Sequence, residues 1–173
     1  MPSALSRLLE EHQVIRRLSS ALEWLSIRFG SGSGVDEDFL RSLYSLLDFV
    51  SLCHHEREEE VLFPALSGLE GVPDLVNDAI SDHREFSQLT QRLKDSIEAG
   101  DLTSASDAAA AASSLLKRHI EWEEAGLFAT AEASLPSDVK ESISKRLSEA
   151  GEGCSLDQAV RDLEIIYQAM GGG

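Results

Sequence analysis

Cysteine is nearly absent from this chain, with Cys53 and Cys154 its only two in 173 residues. They make neither a disulfide framework nor a Cys-x-x-Cys motif. Two free thiols in a reducing, cytoplasmic setting are therefore expected, with Cys53 a packing residue turned away from its neighbour His54. Basic residues are also scarce, 15 Lys and Arg against 31 Asp and Glu, for a net charge of −16. Nucleic acid and anionic membrane surfaces would repel such a chain, and neither is expected as a partner. A long apolar run is missing too: no signal-peptide core follows Met1 and no stretch is long enough to span a bilayer. No alternating pattern of the β type occurs. Proline is rare, at four residues, and Pro64, Pro73 and Pro136 fall where helix boundaries are read.

What remains is helical periodicity. Leu5, Leu8, Leu9, His12, Ile15, Leu22 and Leu25 recur at three- and four-residue steps, which predicts a first helix over residues 3–29. Gly30 to Gly34 form a loop, and Asp36-Glu37-Asp38 open a second helix with negative charge at the positive end of its dipole. Pro64 is expected to end or kink that helix near Phe63. A third helix runs from Pro73 to Ala99 with Gly100 as its stop, and Asp101 caps a fourth that fades near Pro136. Two shorter helices follow over 137–149 and 155–169, the second opened by Ser155 in a capping-box arrangement. The expected fold is all-α: an antiparallel up-down-up-down four-helix bundle with two additional short C-terminal helices. The expected division is a bundle at 1–134, a helical extension packed on it at 135–170, and a disordered tail at 171–173. Monomer and homodimer both stay open.

Within this pattern one phrase is written twice. His54-His55-Glu56-Arg57-Glu58-Glu59-Glu60-Val61-Leu62-Phe63 is echoed by His119-Ile120-Glu121-Trp122-Glu123-Glu124-Ala125-Gly126-Leu127-Phe128. At about 100° per residue, His54 lies on the apolar face of helix two and Glu58 within about 50° of it, whereas His55 and Glu59 fall roughly 100° or more away. His119 and Glu123 share the apolar stripe of helix four, and Glu124 lies outside it. The alignment of the repeat makes the same choice, pairing His54 with His119 and Glu58 with Glu123. His55, Glu59 and Glu124 are left as additional donors or outer hydrogen-bond partners. Counting residues from each shared loop puts His12, His54, His83 and His119 at one height, with a largest mismatch of roughly three residues, or about 5 Å.

Four inward histidines and two inward glutamates in one layer would be an expensive hole in a core unless they bind metal. Imidazole with carboxylate suits iron, manganese or zinc, and the lack of thiolates removes the softest options. Six donors exceed one tetrahedral zinc. They fit two metals, with two histidines on each and both carboxylates bridging, an arrangement that favours two iron ions. A bridging solvent would leave exchangeable positions, as binding or reducing a small oxidant requires. The expected ligands are His12, His54, Glu58, His83, His119 and Glu123. No residue is assigned a catalytic role.

The motifs Glu10-Glu11-His12, His54 to Pro64, Asp82-His83-Arg84-Glu85-Phe86 and His119 to Phe128 resemble those of hemerythrin-like proteins of the HHE cation-binding family. The resemblance covers residues from about 5 to 130. It implies a non-haem di-iron centre in a four-helix bundle that reacts with or binds hydrogen peroxide, nitric oxide or dioxygen, in oxidative or nitrosative stress defence. The alternative it leaves open is reversible binding, storage or sensing without turnover. Oxygen-carrying members resemble H-x-x-x-H on the third helix, where this chain has Ala79 and Ser87 flanking His83. One histidine is therefore missing from the expected set, which His55, Tyr44 or Tyr167 could supply.

Overall fold

The structure is a computed structural model that describes residues 3–149 and 153–171. All regular structure among them is helical. Helix α1 spans Ser6–Gly30 and α2 spans Glu37–Phe49. The second rod does not stop there. It runs on through two π-helical stretches, Val50–His55 and Glu58–Leu62, into the short α3, Phe63–Leu66. Then come α4 (Val72–Glu98) and α5 (Leu102–Glu123). The α5 rod continues through a third π-helical stretch, Glu124–Phe128, into α6 (Ala129–Ser134). Helices α7 (Ser137–Ser148) and α8 (Leu156–Ala169) complete the fold.

The helix starts are chemical. The side chains of Asp36, Asp101 and Ser155 accept hydrogen bonds from the N–H groups of Phe39, Ser104 and Gln158, at 2.8, 3.0 and 3.1 Å. Each satisfies a donor that the first helical turn leaves free. Gly100, at φ +71°, turns the chain from α4 into α5, a backbone conformation that L side chains rarely adopt. Pro64 departs from expectation. The rod runs on past it: the π-helical stretch gives way to α3 at Phe63, and the carbonyl four residues before Pro64, that of Glu60, accepts instead from Arg146 Nη2 at 3.1 Å.

Short connections make α1, the α2 rod, α4 and the α5 rod an antiparallel four-helix bundle. Helix α1 packs along α5, and α5 along α4. Helix α8 lies against α2 and α1, and α7 against α1 and the Glu58–Leu62 stretch. The apolar interior is in two parts. One holds Leu18, Leu22, Leu25, Leu43, Leu47, Phe86, Leu93, Leu116 and, from α8, Leu163 and Ile166. The other holds Leu5, Leu8, Leu62, Phe63, Leu66, Leu127, Phe128 and, from α7, Ile143 and Leu147. Buried polar residues lie between them in the sequence of every rod: His12 on α1, His54 and Glu58, His83 on α4, and His119 and Glu123 on α5.

The cysteines require a correction. Cys53 and Cys154 are not free; they form a disulfide across a sequence separation of 101. The spacing alone gave no hint of it, because only the return of α8 onto α2 brings the two together. The ground for reading a reducing setting falls with the free thiols. Among the described residues no helix is long and apolar enough to cross a membrane. Of the closing glycines, Gly172 and Gly173 lie outside the described residues.

Candidate metal centre

Seven donors, not six, meet in the polar layer. His12, His54, Glu58 and Glu123 are at most 0% exposed, and His119, His55 and His83 are 2%, 4% and 5% exposed. The addition is His55, and the backbone explains it. Each i→i+5 bond of the π-helical Val50–His55 stretch widens the turn by one residue, so successive side chains diverge less than on an α-helix. Two neighbouring histidines can then face the same interior. His55 stacks on His83 with ring centroids 3.8 Å apart and planes 10° apart. The tyrosines do not enter: the Tyr167 hydroxyl donates to the Arg17 carbonyl at 2.8 Å, and Tyr44 packs on the other apolar cluster with the Lys94 ammonium 5.4 Å from its ring centre.

The two glutamates divide the donors. Oε1 of Glu58 faces His54 Nε2 at 3.3 Å and His12 Nε2 at 3.8 Å, while its Oε2 faces His83 Nε2 at 3.2 Å. Oε2 of Glu123 faces His12 Nε2 at 3.5 Å, while its Oε1 faces His119 Nε2 at 3.2 Å and His83 Nε2 at 3.9 Å. Each carboxylate thus turns one oxygen to each of two histidine groups. His12, His54, Glu58 and Glu123 form one set of donor atoms lying within 4.8 Å of one another, and Glu58, His83, His119 and Glu123 another. His55 groups with His83 and His119 under the same limit. Nε2 of all five histidines and both oxygens of both glutamates are buried without a hydrogen-bond partner among the described residues. Buried polar atoms are rarely left so, and a convergent set of them fits cations.

The outer nitrogens are, by contrast, partnered in a closed ring. Glu11 on α1 bonds Nδ1 of His54 on the next rod at 2.8 Å. Glu59 there bonds Nδ1 of His83 at 2.7 Å, Asp82 on α4 bonds Nδ1 of His119 at 3.2 Å, and Glu124 returns to Nδ1 of His12 at 2.8 Å. Each carboxylate sits beside an inner donor in sequence and serves the histidine of the neighbouring rod. Such partners fix the ring orientation that presents Nε2 inward. Glu59 and Glu124 occupy the outer role expected as one option. Glu11 and Asp82 were missed; their signal was adjacency to His12 and His83. The repeated Phe is also accounted for: Phe63 stacks on His83 and Phe128 on His12, at 5.8 and 5.0 Å. His55 breaks the symmetry, since its counterpart in the repeat is Ile120.

Charge in the metal-free pocket follows from these contacts. Burial would push the Glu58 carboxyl up, but the charge of His54 and the facing nitrogens of His12, His54 and His83 hold it well below its usual range. Burial pulls the His54 imidazolium down, while Glu58 and Glu11 on its two sides push its pKa up to about 10. His55, with burial first and then the charges of His83 and His54 against it, is held well below its ordinary value. The signs set a pH window. Glu58 stabilises the metal-free fold above its unfolded value of 4.5, and that contribution is lost as pH falls through the depressed folded value. His54 contributes fully below its unfolded value of 6.5 and loses its contribution as pH rises toward about 10. His55, held neutral, adds a cost as pH falls below its unfolded value of 6.5. Metal-free protein should therefore melt highest near the upper of these unfolded values, about 6.5, and metal binding at neutral pH should displace the His54 proton. Calorimetry in buffers of different ionisation heat is expected to show at least one proton released per chain, with affinity rising about tenfold per pH unit for each. Zero release would contradict this charge assignment.

The model of one protein family, the Hemerythrin HHE cation binding domain, matches residues 3–131, and so takes in all seven donors. Comparison with curated proteins and with solved structures gives no match.

Proposed function

The chain belongs to the hemerythrin HHE cation-binding domain family, and from that premise we propose that its pocket holds two iron ions and binds a small oxidant: dioxygen, nitric oxide or hydrogen peroxide. The observation that carries this reading is the split of Glu58 and Glu123, each with one oxygen toward His12 and His54 or His12 alone and the other toward His83 and His119. Carboxylates so placed would serve both ions. His12 and His54 would hold one ion, and His55, His83 and His119 the other. The donor set favours iron because seven imidazole and carboxylate groups exceed a tetrahedral zinc and include no thiolate.

The two halves of the pocket differ in their imidazole count. The His55, His83 and His119 half would offer its ion three imidazoles, and the His12 and His54 half two. The small oxidant is expected to bind on the side with fewer imidazoles, that of His12 and His54. When bound, iron supplies reversible or consuming reaction with the oxidant. The chain's own part is to orient five imidazoles through the outer carboxylates and to keep bulk water away with Phe63 and Phe128. A role in oxidative or nitrosative stress defence fits this chemistry. Reversible binding or sensing is the second reading, and His55 favours it, as a fifth imidazole where the resemblance to oxygen-carrying members left one histidine missing.

The test is metal analysis of purified protein, followed by rapid mixing of the reduced iron form with each oxidant. Two irons per chain and one adduct per pair are expected. Sustained disappearance of oxidant identifies an enzyme, and an adduct that reverses under argon identifies a carrier or sensor. One zinc per chain would sink the di-iron reading.

A further inference from the structure

We propose that the Cys53–Cys154 disulfide is a thiol-exchange site, open to a small dithiol reductant, whose state sets how firmly the turn that opens the C-terminal helix is latched to the rod that carries His54 and His55. The family match ends at residue 131, so Cys154 lies outside the cation-binding domain and Cys53 within it. Cys53 precedes His54 directly and is 6% exposed, whereas Cys154, in the turn that opens α8, is only partly buried. A groove of about 520 Å³ runs over the pair, lined by Asp48, Leu52, Ser155 and Gln158 as well as both cysteines. Of the two cysteines lining this groove, Cys154 is the more exposed to an entering thiolate.

The turn is tied to the pocket twice. One tie is the S–S bond itself, one residue from His54. The other is a hydrogen-bonded chain. Nη2 of Arg7 donates to the Cys154 carbonyl at 3.3 Å, and its Nε donates to Glu11 Oε1 at 2.8 Å. Oε2 of the same carboxylate bonds His54 Nδ1 at 2.8 Å. The rest of α8 has its own anchors, Ser45 to Asp162 at 2.7 Å, Tyr167 to Arg17, and the buried Leu163 and Ile166. Opening the disulfide thus frees the turn while α8 stays docked, and Arg7 loses a fixed carbonyl just where it steadies Glu11.

The exchange balances. A thiolate of the dithiol attacks Cys154 Sγ, the S–S bond breaks, and Cys53 leaves as a thiolate that takes up a proton. The second thiol of the reductant then attacks the mixed disulfide, releasing the Cys154 thiolate, which is protonated, and a cyclic disulfide. Two electrons and two protons pass to the chain.

Every contact of the latch is made by the chain itself, so the experiment uses metal-free, oxidised, full-length protein treated with dithiothreitol at neutral pH. Two thiols should appear with helicity unchanged. Amide exchange over residues 50–56 and 153–158 should rise about tenfold and return on reoxidation. Cys154→Ser should reproduce the reduced pattern without reductant; if that variant does not fold, the reversible reduction of the native chain decides alone. Thiols that appear only as helicity is lost would make the bond a permanent staple and overturn the proposal. So would reduction that leaves exchange in both segments unchanged.

Discussion

Glu58→Gln is expected to abolish metal binding at both halves of the centre, not at one. The substitution keeps the shape of a side chain that is 0% exposed, and it removes one of two acceptor oxygens. An amide oxygen can still face one histidine group, but its NH2 cannot serve the other, so the bridge fails whichever way the amide turns. Loss of even an outer partner of a metal ligand costs about 10–100-fold in affinity, and loss of a bridging donor should exceed about 100-fold. Glu59→Gln provides the contrast. It touches only Nδ1 of His83 and should weaken binding within that smaller range, leaving the stoichiometry intact.

Stability reports the same event. Metal at about 1,000 times its dissociation constant stabilises a fold by about 4 kcal/mol. For a chain of this size that corresponds to about 8–16 °C in melting temperature. Native protein should show this gap between loaded and stripped forms, and Glu58→Gln should show none, with helicity of the stripped form preserved. Two metals retained by Glu58→Gln would mean that Glu58 is not a bridge.

How much of this was legible beforehand varies with the physics at each residue. Helix starts were readable because Asp36, Asp101 and Ser155 act within one turn of their own positions. The common height of His12, His54, His83 and His119 was readable because short connections make loop distance a ruler in an up-down bundle. The choice of His54 over His55 used the constant angle of an α-helix, which holds over Glu37–Phe49 and fails over Val50–His55. No local composition announces that widening. Glu11 and Asp82 were hidden for another reason. Each acts on the neighbouring rod, across sequence separations of 43 and 37. The disulfide is the extreme case, since it depends on where α8 returns.

His55→Ile should move stability and metal affinity in opposite directions. It writes into the first copy of the repeat the residue that the second copy has at the same place, Ile120, and makes the two halves of the pocket alike. In metal-free protein the buried Nε2 of His55 has no hydrogen-bond partner, and burial with the charges of His83 and His54 holds its pKa well below the ordinary value. An unsatisfied buried polar group costs about 1–3 kcal/mol, so an apolar side chain of similar bulk should raise the melting temperature of the stripped form by about 2–12 °C. In the loaded protein the same change removes one of three histidines from the His83 and His119 half. Affinity there should fall at least about tenfold while the His12 and His54 half is spared, and a second exchangeable position should appear, read as two small-ligand adducts per centre where native protein forms one. A stripped variant that melts lower than native, together with unchanged affinity for both metals, would return His55 to the role of a packing residue stacked on His83 and leave the centre with four histidines.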